Sequence, residues 1–319
     1  MIVTVTLNPA IDQTLVVPRF VPGDTIRIKS SRLDPGGKGI NVSRVIKELG
    51  GESIAMGFAA GGLGRYIEGT LETVGIETDF VHTHGEARTN ITILEEARHE
   101  HTILSEPGPR TDPSFVTTLR QHLKARLQPG DWLVIAGSIP PPLPMSVYGD
   151  IIHEANEMGV HTVLDADGGA LAAGAEAIPR IVKGNRRELE RLLDRPLDDE
   201  PSTLEAAADV RETGIQTVVV TRGRHGAVAI DGNSPPLRGV APRVRAMSPV
   251  GSGDALLAGF VLTLSRGGSM EEALRLGIAS GTAAVLTQGT ELCHRREVDI
   301  LLPRVKVQEI TRDPAPSAA

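Results

Sequence analysis

Three observations predict an α/β fold with a largely parallel central sheet and helices on both of its faces. From about Pro113 onward, short apolar runs alternate with stretches of helical periodicity. The apolar runs end at polar or glycine residues, as strands do where they emerge from a buried sheet. Two glycine-rich turns, at Gly36-Gly37 and Gly251-Ser252-Gly253, lead directly into helical patterns. A strand–helix–strand rhythm returns each strand parallel to the one before it. Ligands then gather at the strands' carboxyl ends, where Ser138, Asp165, Asn185 and Thr221 all fall.

Taken in order, residues 2–7 form a β-rich run that ends in the polar turn Asn8-Pro9-Ala10-Ile11-Asp12. Residues 15–17 and 25–29 are short, alternating and separated by Pro and Gly, which predicts a small antiparallel excursion. Asp34-Pro-Gly-Gly-Lys38 then feeds a helix whose buried face is Val42, Val45, Ile46 and Leu49. Residues 57–64 are a further glycine-rich connection, and 87–94 and 101–104 alternate as a hairpin through 95–100. His82/His84 and His99/His101 are spaced to share strand faces, either as metal ligands or as solvated histidines. Arg88 opens a strand among polar neighbours and serves either a phosphate or a surface ion pair. Residues 132–136, 162–165, 180–183 and 217–220 read as buried strands, with 146–158 and 186–193 helical. Residues 227–230 continue as a hairpin partner of 217–220, and 312–319 are expected to form a disordered tail.

Composition narrows the classes of partner. With 319 residues, 40% of them hydrophobic and 23% charged, the whole of 1–319 reads as one α/β domain. A net charge of −7 spread over both signs argues against nucleic acid and anionic membranes, and leaves small anionic substrates to local basic residues. The single cysteine, Cys293, rules out an internal disulfide and fits a reducing compartment. No apolar run reaches membrane-spanning length and the first residues read as a strand, so the expected location is cytoplasmic.

The stretch richest in chemistry is Ser248-Pro249-Val250-Gly251-Ser252-Gly253-Asp254, followed by apolar residues at 256, 257, 260, 261 and 264. A glycine turn opening a helix gathers free N–H groups at the positive end of the helix dipole, which makes an anion site. Asp254 in the first turn is either a cap-like acid or a base that takes a hydroxyl proton while the N–H groups hold a phosphoryl group. The Lys38 turn is not a Walker loop, because the Lys-Ser/Thr pair at longer spacing is missing. No Gly-x-Gly-x-x-Gly follows the first strand, which argues against a Rossmann dehydrogenase.

With both glycine turns in this order and Asn185-x-x-Glu188 between them, the chain resembles the PfkB (ribokinase-like) sugar kinases over nearly its whole length. Thr6-Leu-Asn-Pro-Ala-Ile-Asp12, Gly36-Gly-Lys-Gly-Ile-Asn41, Gly137-Ser-Ile-Pro-Pro141 and Gly289-Thr-Glu-Leu-Cys293 are similar to its sugar-phosphate branch. That branch contains 1-phosphofructokinase, tagatose-6-phosphate kinase and the minor 6-phosphofructokinase. The resemblance implies a ribokinase-like three-layer sandwich with a β-sheet lid built from about 12–32 and 87–105, and a homodimer through that lid. It implies ATP as co-substrate, Mg²⁺, and K⁺ as a further cation. Asp254 would be the base, with Gly251, Ser252 and Gly253 as the anion hole. Asp12, Gly37, Lys38, Asn41, Arg88 and Ser138 would hold a sugar phosphate. Lys183, Asn185, Thr221, Gly223, Gly226, Ser248 and Val250 would surround the nucleotide, and Asn185 and Glu188 would hold Mg²⁺ through water.

The chain departs from the family pattern at Gly184 (usually Pro), Asp167 (usually small or hydroxyl), Arg222 (usually apolar), Pro249 (usually Thr) and Ser252 (often Ala). Residues 102–106 lack the second phosphate-binding arginine of the minor 6-phosphofructokinases, and Lys38 stands where those enzymes carry Gly. Both differences favour fructose 1-phosphate as substrate, converted to fructose 1,6-bisphosphate. Tagatose 6-phosphate and fructose 6-phosphate are the alternatives within the family. A catalytically weak sugar-phosphate or nucleotide sensor is the alternative from another class.

Overall fold

The apolar runs lie side by side in one ten-stranded sheet of the computed structural model, which describes residues 1–98, 100–232 and 234–310. From one edge the strands are Lys306–Glu309, Leu237–Val240, Ala227–Asp231, Thr217–Thr221, Ile181–Asn185, His161–Asp165, Trp132–Ala136, Ile2–Thr6, Ile54–Ala60 and Glu77–Thr83. Every neighbouring pair from Glu77–Thr83 to Thr217–Thr221 is parallel, and the last three strands add on antiparallel. Strands such as Trp132–Ala136 are buried at every residue, which explains their unbroken apolar sequence. One face packs against helices Ser114–Arg126 and Val147–Glu157, the other against Lys38–Glu48, Ser252–Ser265 and Met270–Ala284. The result is a three-layer sandwich, as the sequence resemblance implied.

A second sheet of four strands, ordered Ser30–Gly36, Ala10–Val17, Arg88–Glu95, Glu100–Ser105, covers the site. Ala10–Val17 runs antiparallel to Ser30–Gly36 and parallel to Arg88–Glu95, and the hairpin through 95–100 forms as read. The excursion differs from the expectation in one respect. Residues 25–29 carry no strand; the partner strand is Ser30–Gly36. Pairing of Ala10 with Gly36 through Val16 with Ser30 uses up the first strand, and the Lys29 N–H closes the ladder on the Val16 carbonyl at 2.8 Å. The alternation at Ile26 and Ile28 therefore buries no face, and Ile28 stays exposed. The lid accordingly spans 10–36 rather than 12–32, and it runs straight into the Gly36-Gly37 turn.

His99 and the tail 312–319 lie outside the described residues. His82 faces Glu68 at 3.3 Å and His84 meets Phe115 edge-on. Among the described residues no group of three or more His, Cys, Asp or Glu side chains is arranged to hold a metal, and no helix is long and apolar enough to cross a membrane.

Candidate active site

The anion turn sits at the start of helix Ser252–Ser265, in front of the carboxyl ends of the parallel strands. Its cap residue is Gly251, at φ +73°, where a side chain would be strained and a Cβ would meet Leu292 at 2.6 Å. No side chain caps this helix; the Ser252 N–H makes a long bond to the Pro249 carbonyl at 3.4 Å, and the Gly253 and Asp254 N–H groups have no carbonyl one turn back. Asp254 does not serve as the cap. It is buried, and its Oδ2 accepts a hydrogen bond from Asn41 Nδ2 at 2.8 Å.

Beneath the turn lies an ion cluster that the sequence reading did not assemble. Asp165 is fully buried at the end of its strand, and each of its oxygens takes one ammonium. Lys38 Nζ donates to Oδ1 at 2.7 Å and Lys183 Nζ to Oδ2 at 2.7 Å. Lys183 presses under the anion turn so closely that a Cβ on Gly253 would fall 2.9 Å from its Nζ. Burial, then the negative charge of Asp165, push the Asp254 carboxyl up to about 6, against Lys38, Lys183 and the Asn41 amide. Burial also works against the charged forms of Lys38 and Asp165. The opposing charges win: Asp165 holds Lys38 above the lysine range, and Lys183, then Lys38, hold Asp165 below the usual carboxylate range.

On the sugar side, Asp12 accepts from Asn90 Nδ2 at 2.8 Å, and its carboxylate fills the space that a Cβ on Gly36 would need. Burial raises the Asp12 pKa, with Asn90 and Arg88 opposing. Arg88 is not a surface ion pair. Its Nε donates to the Asn8 carbonyl and its Nη1 to the Glu106 carbonyl, each at 3.2 Å, beside a cavity of about 470 Å³ shared with Gly108 and Arg110. Ser138 accepts from Asn8 Nδ2 at 3.1 Å, and Gly37 caps the helix that carries Lys38 and Asn41. Asp12, Lys38, Asn41 and Arg88 thus converge on the Asp254 side of the cleft.

The other side is a cavity of about 1110 Å³ lined by Thr221, Gly223 and Gly226 together with Pro249, Ser252 and Gly253. Four residues expected around the nucleotide do not line this cavity. Lys183 is buried under the turn, because Asp165 holds its ammonium. Ser248 is buried too, its hydroxyl donating to the Gly289 carbonyl at 2.8 Å and accepting from the Val250 N–H at 3.3 Å. That bond turns Val250 toward Ser248, and neither residue lines the cavity. Asn185 starts helix Arg186–Leu193, where its side chain caps the Glu188 N–H at 3.0 Å and Glu188 Oε2 answers the Asn185 N–H at 2.7 Å. Only Glu188 Oε1 remains, 3.6 Å from Lys38 Nζ. One carboxylate oxygen fits a Mg²⁺ that arrives on phosphate oxygens and keeps its waters; it does not make a protein cage.

Three of the departures have a structural setting. Asp167 caps helix Gly168–Glu176 and pairs with Arg191 at 2.8 Å, on the surface. Arg222 shares the Glu200 carboxylate with Arg238 at the cavity wall. Gly184 packs against Leu189, where a Cβ would come within 2.8 Å. Sequence reasoning placed Asp165 at a strand's ligand-facing end but gave it no partners, and it passed over Asn90. An acid closing a buried strand was the available signal for Asp165; Asn90 carried none.

The profile of the pfkB family carbohydrate kinases matches residues 4–296. The chain is 31% identical over 310 residues to the 1-phosphofructokinase of Borreliella burgdorferi, covering 97% of this chain and 99% of that one. It is 32% identical over 313 residues to the tagatose-6-phosphate kinase of Staphylococcus epidermidis, covering 97% and 100%. A solved structure of Escherichia coli phosphofructokinase-2 in complex with potassium matches with a TM-score of 0.90 at 31% identity, over 95% of this chain and 98% of that chain.

Proposed function

The chain belongs to the pfkB family of carbohydrate kinases, and from that premise we propose that it transfers the γ-phosphoryl group of ATP to fructose 1-phosphate, forming fructose 1,6-bisphosphate. It is a sugar-phosphate kinase of the group that includes 1-phosphofructokinase, 6-phosphofructokinase isozyme 2 and tagatose-6-phosphate kinase. The observation that carries the reading is the convergence of Asp254, the uncapped helix N-terminus above Lys183, and the cations Lys38 and Arg88 on one cleft.

In this mechanism the sugar is held by Asp12, Asn41, Gly37 and Ser138, and its existing phosphate by Arg88 and Lys38. Asp254 Oδ2 is fixed by Asn41, which leaves Oδ1 to take the proton of the hydroxyl to be phosphorylated. The hydroxyl oxygen bonds to the γ-phosphorus as the bond to the β–γ bridging oxygen breaks, and the proton passes to Asp254. A carboxyl at about 6 is ionised at neutral pH yet more basic than an ordinary aspartate. The transition state is loose, so most of the acceleration comes from charge placement. The N–H groups at Gly251, Ser252 and Gly253, with the Lys183 ammonium beneath them, supply it. Thr221, Gly223 and Gly226 form the nucleotide wall. Glu188 Oε1, left over by the capping box, would hold Mg²⁺ through water, and the metal would supply charge neutralisation at the donor's phosphates.

Lys38 and the lack of an arginine on 102–106 are what favour fructose 1-phosphate over fructose 6-phosphate. The lid leaves Leu33, Ile103 and Leu104 exposed, which supports a homodimer formed through it, and the cytoplasm is the proposed compartment. The test is a panel of fructose 1-phosphate, fructose 6-phosphate and tagatose 6-phosphate with MgATP, with and without K⁺. The highest kcat/KM for fructose 1-phosphate is expected. Turnover of ribose or adenosine with none of the three phosphates overturns the reading.

A further inference from the structure

The motif Gly289-Thr290-Glu291-Leu292-Cys293 has no part in the mechanism above, yet it touches both halves of the site. On the lid side, the buried Thr290 Oγ1 donates to Asp34 Oδ2 at 2.9 Å, and Arg32 reaches Glu291 at 3.0 Å. Asp34 stands directly across the lid ladder from Asp12, so the two carboxylates share one face of the sheet. On the turn side, the Gly289 carbonyl accepts from Ser248 Oγ at 2.8 Å, Ser248 Oγ accepts from the Val250 N–H at 3.3 Å, and Leu292 packs on Gly251. Gly289 itself sits at φ +61° with Thr14 so near that a Cβ would fall 2.2 Å from its hydroxyl oxygen. Lid and segment meet there without room for a side chain.

We infer that Thr290 is a positioning residue that ties the sugar-holding lid to the anion turn, so that occupancy of one side prepares the other. The inference rests on the kinase reading of this cleft. Asp34 already has cations, with Arg32 Nε at 3.0 Å and Arg44 Nη2 at 3.4 Å, so the Thr290 hydroxyl is not needed to neutralise it. What the hydroxyl adds is direction, because it joins the lid carboxylate to a segment whose neighbouring carbonyl holds Ser248. A sugar that engages Asp12 acts on the ladder containing Asp34. Thr290 follows Asp34, and the Gly289 carbonyl carries the change to Ser248 and the residues before Gly251. Strand pairing joins Asp12 to Asp34, a hydrogen bond joins Asp34 to Thr290, the chain itself leads to Gly289, and two hydrogen bonds through Ser248 reach Val250 at the turn that receives the phosphoryl group. Such coupling is reciprocal: each ligand tightens the other by the same factor.

The experiment measures the Kd of a non-hydrolysable ATP analogue with Mg²⁺, with and without saturating fructose 1-phosphate, in the wild type, Thr290→Val and Thr290→Ser. The reverse titration is run alongside. The wild type is expected to show at least about fivefold tightening in both directions. In Thr290→Val the ratio falls to near 1 while each ligand's affinity alone changes by less than about threefold. Thr290→Ser, which keeps the hydroxyl, restores the ratio. If Thr290→Val does not fold, Ser248→Ala breaks the same chain on the turn side and must also abolish the ratio. A ratio unchanged by these substitutions, or one lost only because both ligands bind weakly alone, overturns the inference. A wild type that binds fructose 1-phosphate without any coupling overturns the inference and leaves the kinase reading standing. A wild type that binds none of the three sugar phosphates overturns both.

Discussion

The sugar side and the nucleotide side of the cleft treat their polar groups differently. On the sugar side, buried carboxylates are answered one by one at close range: Asp12 by Asn90, Asp254 by Asn41, and Asp165 by two lysines. On the nucleotide side, glycines and small residues leave a cavity of about 1110 Å³; one charged group, Arg222–Glu200–Arg238, is paired at its wall, and Arg224 and Arg243 line it as well. A buried charge without a partner costs several kcal/mol, so the half holding reactive charges has to be assembled before substrate arrives. The half that admits a large co-substrate has to keep space. Substitutions should therefore act sharply on the first half and mildly on the second.

The largest expected effect is that of Asp254→Asn, which should lower kcat by about 10²–10⁴-fold while nucleotide binding stays within a few-fold. Full activity in this variant would remove the base from the mechanism. The same substitution should stabilise the fold at pH 7. Asp254 has a higher pKa folded than unfolded, so its favourable contribution is present below the model-peptide value of 3.8 and is lost as pH rises through about 6. Urea titrations of both proteins at pH 5 and pH 8 check this, and the stability gap between them should widen toward pH 8. In activity the sign is opposite: kcat/KM should fall about tenfold per pH unit below about 6, as the base is protonated.

Next in size is Asp165→Ala, which strands the buried Lys183 ammonium and takes one of two carboxylates from the half-buried Lys38, and should cost about 3–5 kcal/mol in denaturant unfolding. An unchanged midpoint would mean that Lys38 and Lys183 repair themselves on Asp254. Arg88→Ala should raise KM for the sugar phosphate by about 10–100-fold and leave KM for ATP alone, as expected for one lost charged hydrogen bond. Equal rises in both constants would erase the division between the two sides. The smallest effect belongs to Arg222→Leu, which restores an apolar residue at the wall. It should shift KM for ATP by no more than a few-fold, since Glu200 keeps Arg238 as a partner.

Most of the architecture was readable because it is encoded locally. Trp132–Ala136 and Arg186–Leu193 fall where apolar runs and helical spacing put them, and Val42, Val45, Ile46 and Leu49 are buried as a face. The lid was misread at 25–29 because Ile26 and Ile28 alternate like a strand, while the pairing register placed the strand five residues later. In the site, Asp254 and the glycine turn were legible from spacing. Asn185-x-x-Glu188 was legible as a motif, but its geometry is a capping box, which sequence spacing does not separate from a metal-facing pair. Lys183 and Ser248 turn inward beneath the cavity lining, which the sequence did not show, since strand position says which end of the sheet a residue occupies and not which partner draws its side chain inward.

The sequence by itself determined the order of strands and helices, the glycine turns and the acid in the first turn of Ser252–Ser265. These follow from periodicity and backbone chemistry within a few residues. Only the tertiary structure decided which charges meet. Lys38 and Asp165 are 127 residues apart, Asn41 and Asp254 213, and Asp34 and Thr290 256. A hydrogen bond or ion pair depends on separations of about 3 Å, and for such distant positions only the packing of the sheet, the lid and two helices brings them that close.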